Sequence, residues 1–178
     1  MSETSDIEAS ILGLICEGAH YGYELEKIIE ERAMRNWTEI GFSSIYYVLK
    51  KLEEKKLIDS KIEPVEGGPS RRVYAVTEDG RQAMKVKVRS LLSDYKKAIS
   101  PFDLGVINIW LLTSEEALEC LKLYGKSIDK HTSSLEDSTR KMDKQETPYF
   151  VRALFTRPLA HLKAEKSWVE QFSKEIKT

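Results

Sequence analysis

Two short stretches concentrate side chains whose types and spacing suit chemistry. In the first, Ile45, Val48, Leu49 and Leu52 recur at helical spacing and mark one apolar stripe. At about 100° per residue, Ser43, Tyr47, Lys50 and Glu54 fall opposite that stripe, with Ser44, Tyr46 and Lys51 beside them. Hydroxyls, phenols and ammonium groups on one exposed helix face can reach the base edges and phosphates of a duplex. Lys55, Lys56 and Lys61 add positive charge nearby, whereas Glu54 would repel a phosphate it faced. In the second stretch, Arg71 and Arg72 are adjacent, and no acidic residue occurs between Gly67 and Tyr74. Arginine at a hairpin suits phosphates or a narrow minor groove. Neighbours on a strand point to opposite faces, so one of the two is expected to face the duplex. The competing reading is a solvated lysine face; exposed tyrosines and the paired arginines weigh against it.

These residues need elements to hold them. Ser5 and Glu8 form an S-x-x-E capping box that opens a first helix, with Ile7, Ile11, Leu12 and Ile15 on its buried face and Gly18 as its stop. A second helix is expected over 21–32, with Leu25, Ile28 and Ile29 inward, followed by a polar loop over 35–40. The third, carrying the reading face, is expected over 43–56. Residues 60–66 read as extended, with Pro64 confining that strand to an edge or a bulge. The cluster Gly67, Gly68, Pro69, Ser70 makes a turn, and 71–76 returns as a strand with Tyr74 and Val76 on one side. Thr77 then caps a long helix expected to reach Ile99, where Ser100 and Pro101 end it. Three helices, a hairpin and a further helix follow the winged-helix order, in which the third helix enters the major groove.

The C-terminal part reads as helical. Thr113 and Glu116 form a second capping box, opening a helix to about Met142 with Leu118, Leu121, Ile128, Leu135 and Met142 in its seam. A last helix over 149–177 carries Leu154, Leu159, Leu162, Val169, Phe172 and Ile176, with Pro158 expected to kink it or break its first turns away. The expected fold is mainly α with a small β-hairpin wing. It comprises a winged helix-turn-helix over 1–80, a connecting helix over 81–100 and a helical dimerisation domain over 101–178.

Composition narrows the function. The formal net charge is −1, against a non-specific nucleic-acid binder, so any positive surface must be local. No apolar run approaches a membrane span, and no basic-then-apolar leader opens the chain, so no membrane partner and a cytoplasmic location are expected. Cys16 and Cys120 are expected as two reduced core thiols. His20, His131 and His161 lack metal-ligand spacing, and no hydrolase, phosphate-loop or zinc-protease motif occurs; neither an enzyme, a metal nor a cofactor is expected.

The runs YGYELEKI (21–28), SSIYYVLKKLEEKKLI (43–58) and EGGPSRRVYAVTEDGR (66–81) resemble the PadR family of regulators, across essentially the whole N-terminal half. The helical C-terminal half is similar in architecture to the subgroup with a larger dimerisation domain. The resemblance implies a homodimeric repressor, sometimes an activator, on a pseudo-palindromic operator. By that analogy Ser43, Ser44, Tyr46, Tyr47 and Lys50 of the recognition helix and Arg71 and Arg72 of the wing contact DNA. Two positions depart from the pattern: Tyr47, where the family often has proline, and Lys56, where glycine commonly precedes the Leu-Ile pair. In the C-terminal half, Trp110, Tyr124, His131, Phe155 and Trp168 are candidates for a pocket binding a small aromatic effector, the alternative being core and interface side chains. The rival function is a winged-helix adaptor for protein–protein contact without DNA.

Overall fold

The computed structural model describes residues 4–18, 20–41, 45–65, 68–143 and 147–176. They fall into two compact units, Met1–Lys97 and Ala98–Thr178. The element order in the first is α1 (Asp6–Glu17), β1 (His20–Tyr21), α2 (Gly22–Glu31), α3 (Ile45–Glu54), β2 (Ile58–Val65), β3 (Gly68–Val76) and α4 (Glu78–Ser93). This is a winged helix-turn-helix, followed by a helical C-terminal unit.

Helix α1 begins as the capping box requires. The Glu8 amide donates to Ser5 Oγ at 3.2 Å and the Ser5 amide to Glu8 Oε2 at 2.8 Å. Gly18 is its C-cap. Ile11, Leu12 and Ile15 of α1, Leu25 and Ile29 of α2, Leu49 and Leu52 of α3 and Ile58 of β2 form the centre of one core. Residues 35–40 do not form a plain loop: Met34–Asn36 is a 3-10 turn, and Met34 and Ile40 are buried in the core.

Helix α3 buries Ile45, Val48, Leu49 and Leu52, the stripe expected of it. Its exit is a Schellman turn. The Leu57 amide donates to the Leu52 carbonyl and the Lys56 amide to the Glu53 carbonyl, each at 2.9 Å. Lys56 occupies the left-handed position at φ 58°, where a non-glycine residue costs on the order of 1 kcal/mol. The hydrogen bonds thus keep a glycine's conformation without the glycine.

β2 and β3 pair antiparallel from Ile58 opposite Val76 to Val65 opposite Gly68. The register shifts between Glu63 and Val65, where Pro64 has no amide hydrogen to give, and β2 is an edge strand. A strand absent from the sequence reading, β1, pairs on the other side of β3, giving the order β1-β3-β2. Gly67 lies outside the described residues, and Gly68, Pro69 and Ser70, expected in the turn, are instead the first residues of β3.

Thr77 caps α4: its Oγ1 accepts from the Gly80 amide at 3.0 Å and lies 2.8 Å and 3.0 Å from the carbonyls of Lys56 and Leu57. The Leu57 carbonyl oxygen approaches so closely that a Cβ on Gly80 would sit 2.0 Å from it. That glycine lets α4 start against the exit of α3. The helix expected to reach Ile99 stops at Ser93, with Asp94 extended. Leu92 and Tyr95 are exposed, and packing rather than propensity sustains most helices.

In the second unit, Pro101 opens a helix rather than closing one. Ser100 Oγ accepts from the Phe102 amide, and Pro101 takes the first position of α5 (Pro101–Ile107), where its missing amide is harmless. A 3-10 turn, Ile109–Leu111, leads to α6 (Ser114–Asp143) and α7 (Tyr149–Ile176). The Thr113–Glu116 box is formed, at 2.8 Å and 3.3 Å. Helix α7 runs unbroken through Pro158. Leu121 and Ile128 of α6 and Val169 of α7 are the buried centre of this hairpin, with Leu162, Phe172 and Ile176 against them. Cys16 is half-buried, but Cys120 is exposed, so the second thiol is not a core residue: a two-helix hairpin covers only one side of α6.

An ion pair joins the first turn of α1 to the exit of α3. Lys55 Nζ lies 2.8 Å from both carboxylate oxygens of Glu8, whose side chain is 6% exposed. Burial pushes the Glu8 carboxyl up, but hydrogen bonds from Lys55 and from the Ser5 backbone pull it further down, to below its ordinary value. The folded state is therefore favoured above the ordinary glutamate range, and this advantage disappears as pH falls through the depressed value. Urea denaturation should find Glu8→Ala less stable by about 3 kcal/mol at neutral pH. It should also find a shallower acid dependence in Glu8→Gln; an unchanged acid limb would mean that another group carries it.

Candidate nucleic-acid interface

Because α3 buries one stripe, it presents the other. Tyr46 is 67% exposed and Tyr47 60%, unusual for tyrosines flanking a helix core. The Lys50 side chain is 76% exposed; its ammonium is 3.9 Å from Glu54, a pair so exposed that it is worth under about 1 kcal/mol and leaves Lys50 able to turn to another anion. Glu54 thus lies beside Lys50 on the outer face. Lys51 Nζ sits 4.6 Å from the Tyr47 ring centroid, and its hydrogen bond with that phenol holds its ammonium above the ordinary lysine range. The Tyr46 ring rests on the start of α2: a Cβ on Gly22 would come within 2.7 Å of it. Ser43 and Ser44 lie outside the described residues.

The wing divides its arginines as strand alternation requires. Arg72 shares the face of buried Tyr74 and reaches Glu53 of α3, at 3.7 Å. Glu53 also accepts from Ser60 Oγ. Tyr74's phenol is raised by burial, against the pull of Arg72. Arg71 faces the other way, and its Nη1 donates to Tyr23 Oη at 3.1 Å. Tyr21 and Tyr23, beside Arg71, were not among the residues expected here. The tyrosines of the YGY run are visible in sequence, but their pairing with Arg71 depends on β1.

In the C-terminal unit, the five effector candidates do not gather in one place. Tyr124 stacks on Phe102 at 4.2 Å between centroids, and Phe102 meets Trp168 edge-on at 5.9 Å. Trp168 in turn stacks on Phe172. Tyr124 Oη donates to Glu165 at 3.1 Å, and burial followed by that bond raises its phenol. Trp110 is 74% exposed, His131 is exposed and Phe155 half-buried, none of them in the stack. An open groove of about 810 Å³ along α6 and α7 is lined by Leu118, Leu121, Lys122, Lys166, Val169 and Glu170 among others, and by none of the five. Among the described residues, no helix is long and apolar enough to cross a membrane.

The family model described as transcriptional regulator PadR-like matches residues 11–86, from the core of α1 to the first half of α4. An uncharacterised protein of Lysinibacillus sphaericus is 30% identical over 100 residues, covering 56% of this chain and 90% of the relative. The chain belongs to the PadR-like family of transcriptional regulators. That is a family of regulators, not of enzymes. Among solved structures, Bacillus subtilis PadR in complex with operator DNA is similar with a TM-score of 0.74 at 23% identity, over 95% of this chain and 98% of that one. Bacillus subtilis PadR in complex with p-coumaric acid is similar with a TM-score of 0.77 at 21% identity, over 100% and 99%. At those identities the likeness is one of fold.

Within the PadR-like frame, the departure at Tyr47 puts an exposed phenol at the centre of the α3 face, with Lys51 beside it. The other departure, Lys56, is absorbed by the Schellman turn. Gly22 is the remaining control on this face, since its bare Cα seats Tyr46. Gly22→Ala should change stability by less than about 1 kcal/mol, because the far end of a tyrosine can swing aside. Its NMR spectrum should show Tyr46 ring resonances moved and the core methyls unmoved; unmoved Tyr46 resonances would mean that the ring does not rest on α2.

Proposed function

We propose that this chain is a sequence-specific DNA-binding transcription regulator, acting as a homodimeric repressor on a pseudo-palindromic operator. The observation that carries this reading is the α3 face: exposed Tyr46, Tyr47 and Lys50, with half-buried Lys51 beside them, opposite a buried stripe, on a winged helix of a regulator family. Phenols and ammonium groups at the surface of such a helix suit base edges and phosphates. Ser43 and Ser44 precede them in the proposed contact set, with Arg71 and Arg72 from the wing. That Bacillus subtilis PadR, similar in fold, is found in complex with operator DNA supports a DNA-binding role by analogy.

The dimer is proposed from the C-terminal unit. Leu104, Ile107, Trp110 and Leu111, in α5 and the turn after it, are each exposed by two thirds or more. A two-fold copy offering the same surface would cover them and set two recognition helices on two half-sites. Pairing also doubles the local basic groups of a chain whose net charge is −1. A small aromatic effector is proposed as the releasing signal, by analogy with the p-coumaric acid complex of Bacillus subtilis PadR. Tyr124 and Trp168, in the stack with Phe102 and Phe172, are its best-supported walls here; Trp110, His131 and Phe155 are less so. The protein would act in the cytoplasm.

The test is selection of duplexes from a randomised pool by the full chain, followed by titration at several salt concentrations. A regulator should enrich one pseudo-palindromic sequence and lose affinity steeply as salt rises. Lys50→Ala should weaken binding to that duplex by about 1–3 kcal/mol without lowering the melting temperature. Enrichment of no sequence would favour the adaptor reading, with the tyrosines of α3 meeting protein.

A further inference from the structure

The outward face of the three-stranded sheet carries a group that the α3 face does not account for. Arg71 stands beside two tyrosines, its guanidinium carbon 5.5 Å from the Tyr21 ring centroid and 5.4 Å from that of Tyr23. One of its N–H groups donates to Tyr23 Oη at 3.1 Å. The two rings are stacked, 5.8 Å apart and 11° from parallel. Tyr21 Oη donates to Glu63 Oε2 at 3.2 Å. Strand register brings this group together: Glu63 is the cross-strand partner of Arg71, and Tyr21 pairs with Val73, two residues along the same face.

An exposed arginine has many rotamers, and ordering one on binding costs roughly two- to tenfold in affinity. Here the ordering is done beforehand. The rings attract the cation, Tyr23 fixes it by a hydrogen bond, and Glu63 fixes Tyr21. Arg72, by contrast, is turned to Glu53 on the opposite face. The guanidinium's remaining donors suit two oxygens of one phosphate.

We infer that Tyr21 and Tyr23 are positioning residues that hold Arg71 ready for a backbone phosphate of the operator. The inference rests on the operator-binding reading. It makes the start of α2 part of the interface by way of the wing.

The experiment uses the full chain and a short duplex that the wild-type chain enriches from a randomised pool, with an unrelated duplex as control. Arg71→Ala should weaken both duplexes alike and reduce the salt slope by about 1, as loss of a phosphate contact does. Tyr21→Ala with Tyr23→Ala should weaken binding about five- to tenfold, and should add almost nothing once Arg71 is already alanine. Tyr21→Phe with Tyr23→Phe, which keeps the rings, should retain most of the affinity. If the double alanine variant loses its thermal transition, Tyr23→Leu alone, which leaves β1 intact, should still cost about threefold only while Arg71 is present. Tyrosine variants that cost the same with and without Arg71, or that cost nothing while Arg71→Ala does, would overturn the positioning role and leave the operator reading standing. A wild-type chain that enriches no duplex would overturn both.

Discussion

Glu8 is a carboxylate taken out of water in the first turn of α1, and Lys55 reaches it from just past the end of α3. One carboxylate closes a helix cap and an ion pair at once: Oε2 accepts from the Ser5 amide while both oxygens accept from Lys55. A buried charge left without its partner is strongly destabilising, so the pair constrains where α3 ends relative to α1. The rotation of α3 about its own axis is set by the apolar stripe that packs on the same helix. Axis position and rotation together decide which side chains face outward. The exposure of Tyr46, Tyr47 and Lys50 follows from interactions in which none of them takes part.

The exit of α3 extends the same logic to the wing. The Schellman turn at Lys56 delivers Leu57 and Ile58 straight into the core and β2. Thr77 and Gly80 then close α4 onto the carbonyl of Leu57, so the hairpin leaves and re-enters the core at one point. Glu53 ties the hairpin to α3 a second time through Arg72 and Ser60. The acidic residues near the outer face of α3 and the wing have distinct neighbours: Glu53 holds the wing, Glu63 accepts from Tyr21, and Glu54 lies beside Lys50.

Much of this was legible in the sequence because it is local. Both capping boxes, the α3 stripe, Thr77 as a cap and Pro64 at an edge rest on spacings of a few residues, and the structure has each of them. What escaped depends on residues far apart in the chain. β1 is two residues long and exists only by pairing with Val73 and Tyr74. The meeting of Tyr21 and Tyr23 with Arg71 depends on that pairing, and Arg72's turn towards Glu53 on the contact of wing and α3. The end of α4 at Ser93 escaped because an apolar periodicity up to Ile99 says that a face could be buried, not that a partner for it lies within the chain. Cys120 was misjudged for the same reason: the helix has one covered side.

The face of α3 opposite its buried stripe is the surface proposed to read DNA. The most direct measurement is a crystal structure of the full chain with a duplex it selects. The expected complex has α3 in the major groove, with Tyr47 and Lys50 within hydrogen-bonding reach of base edges or adjoining phosphates. A complex in which that face meets solvent or protein, while the duplex lies along another surface, would contradict it.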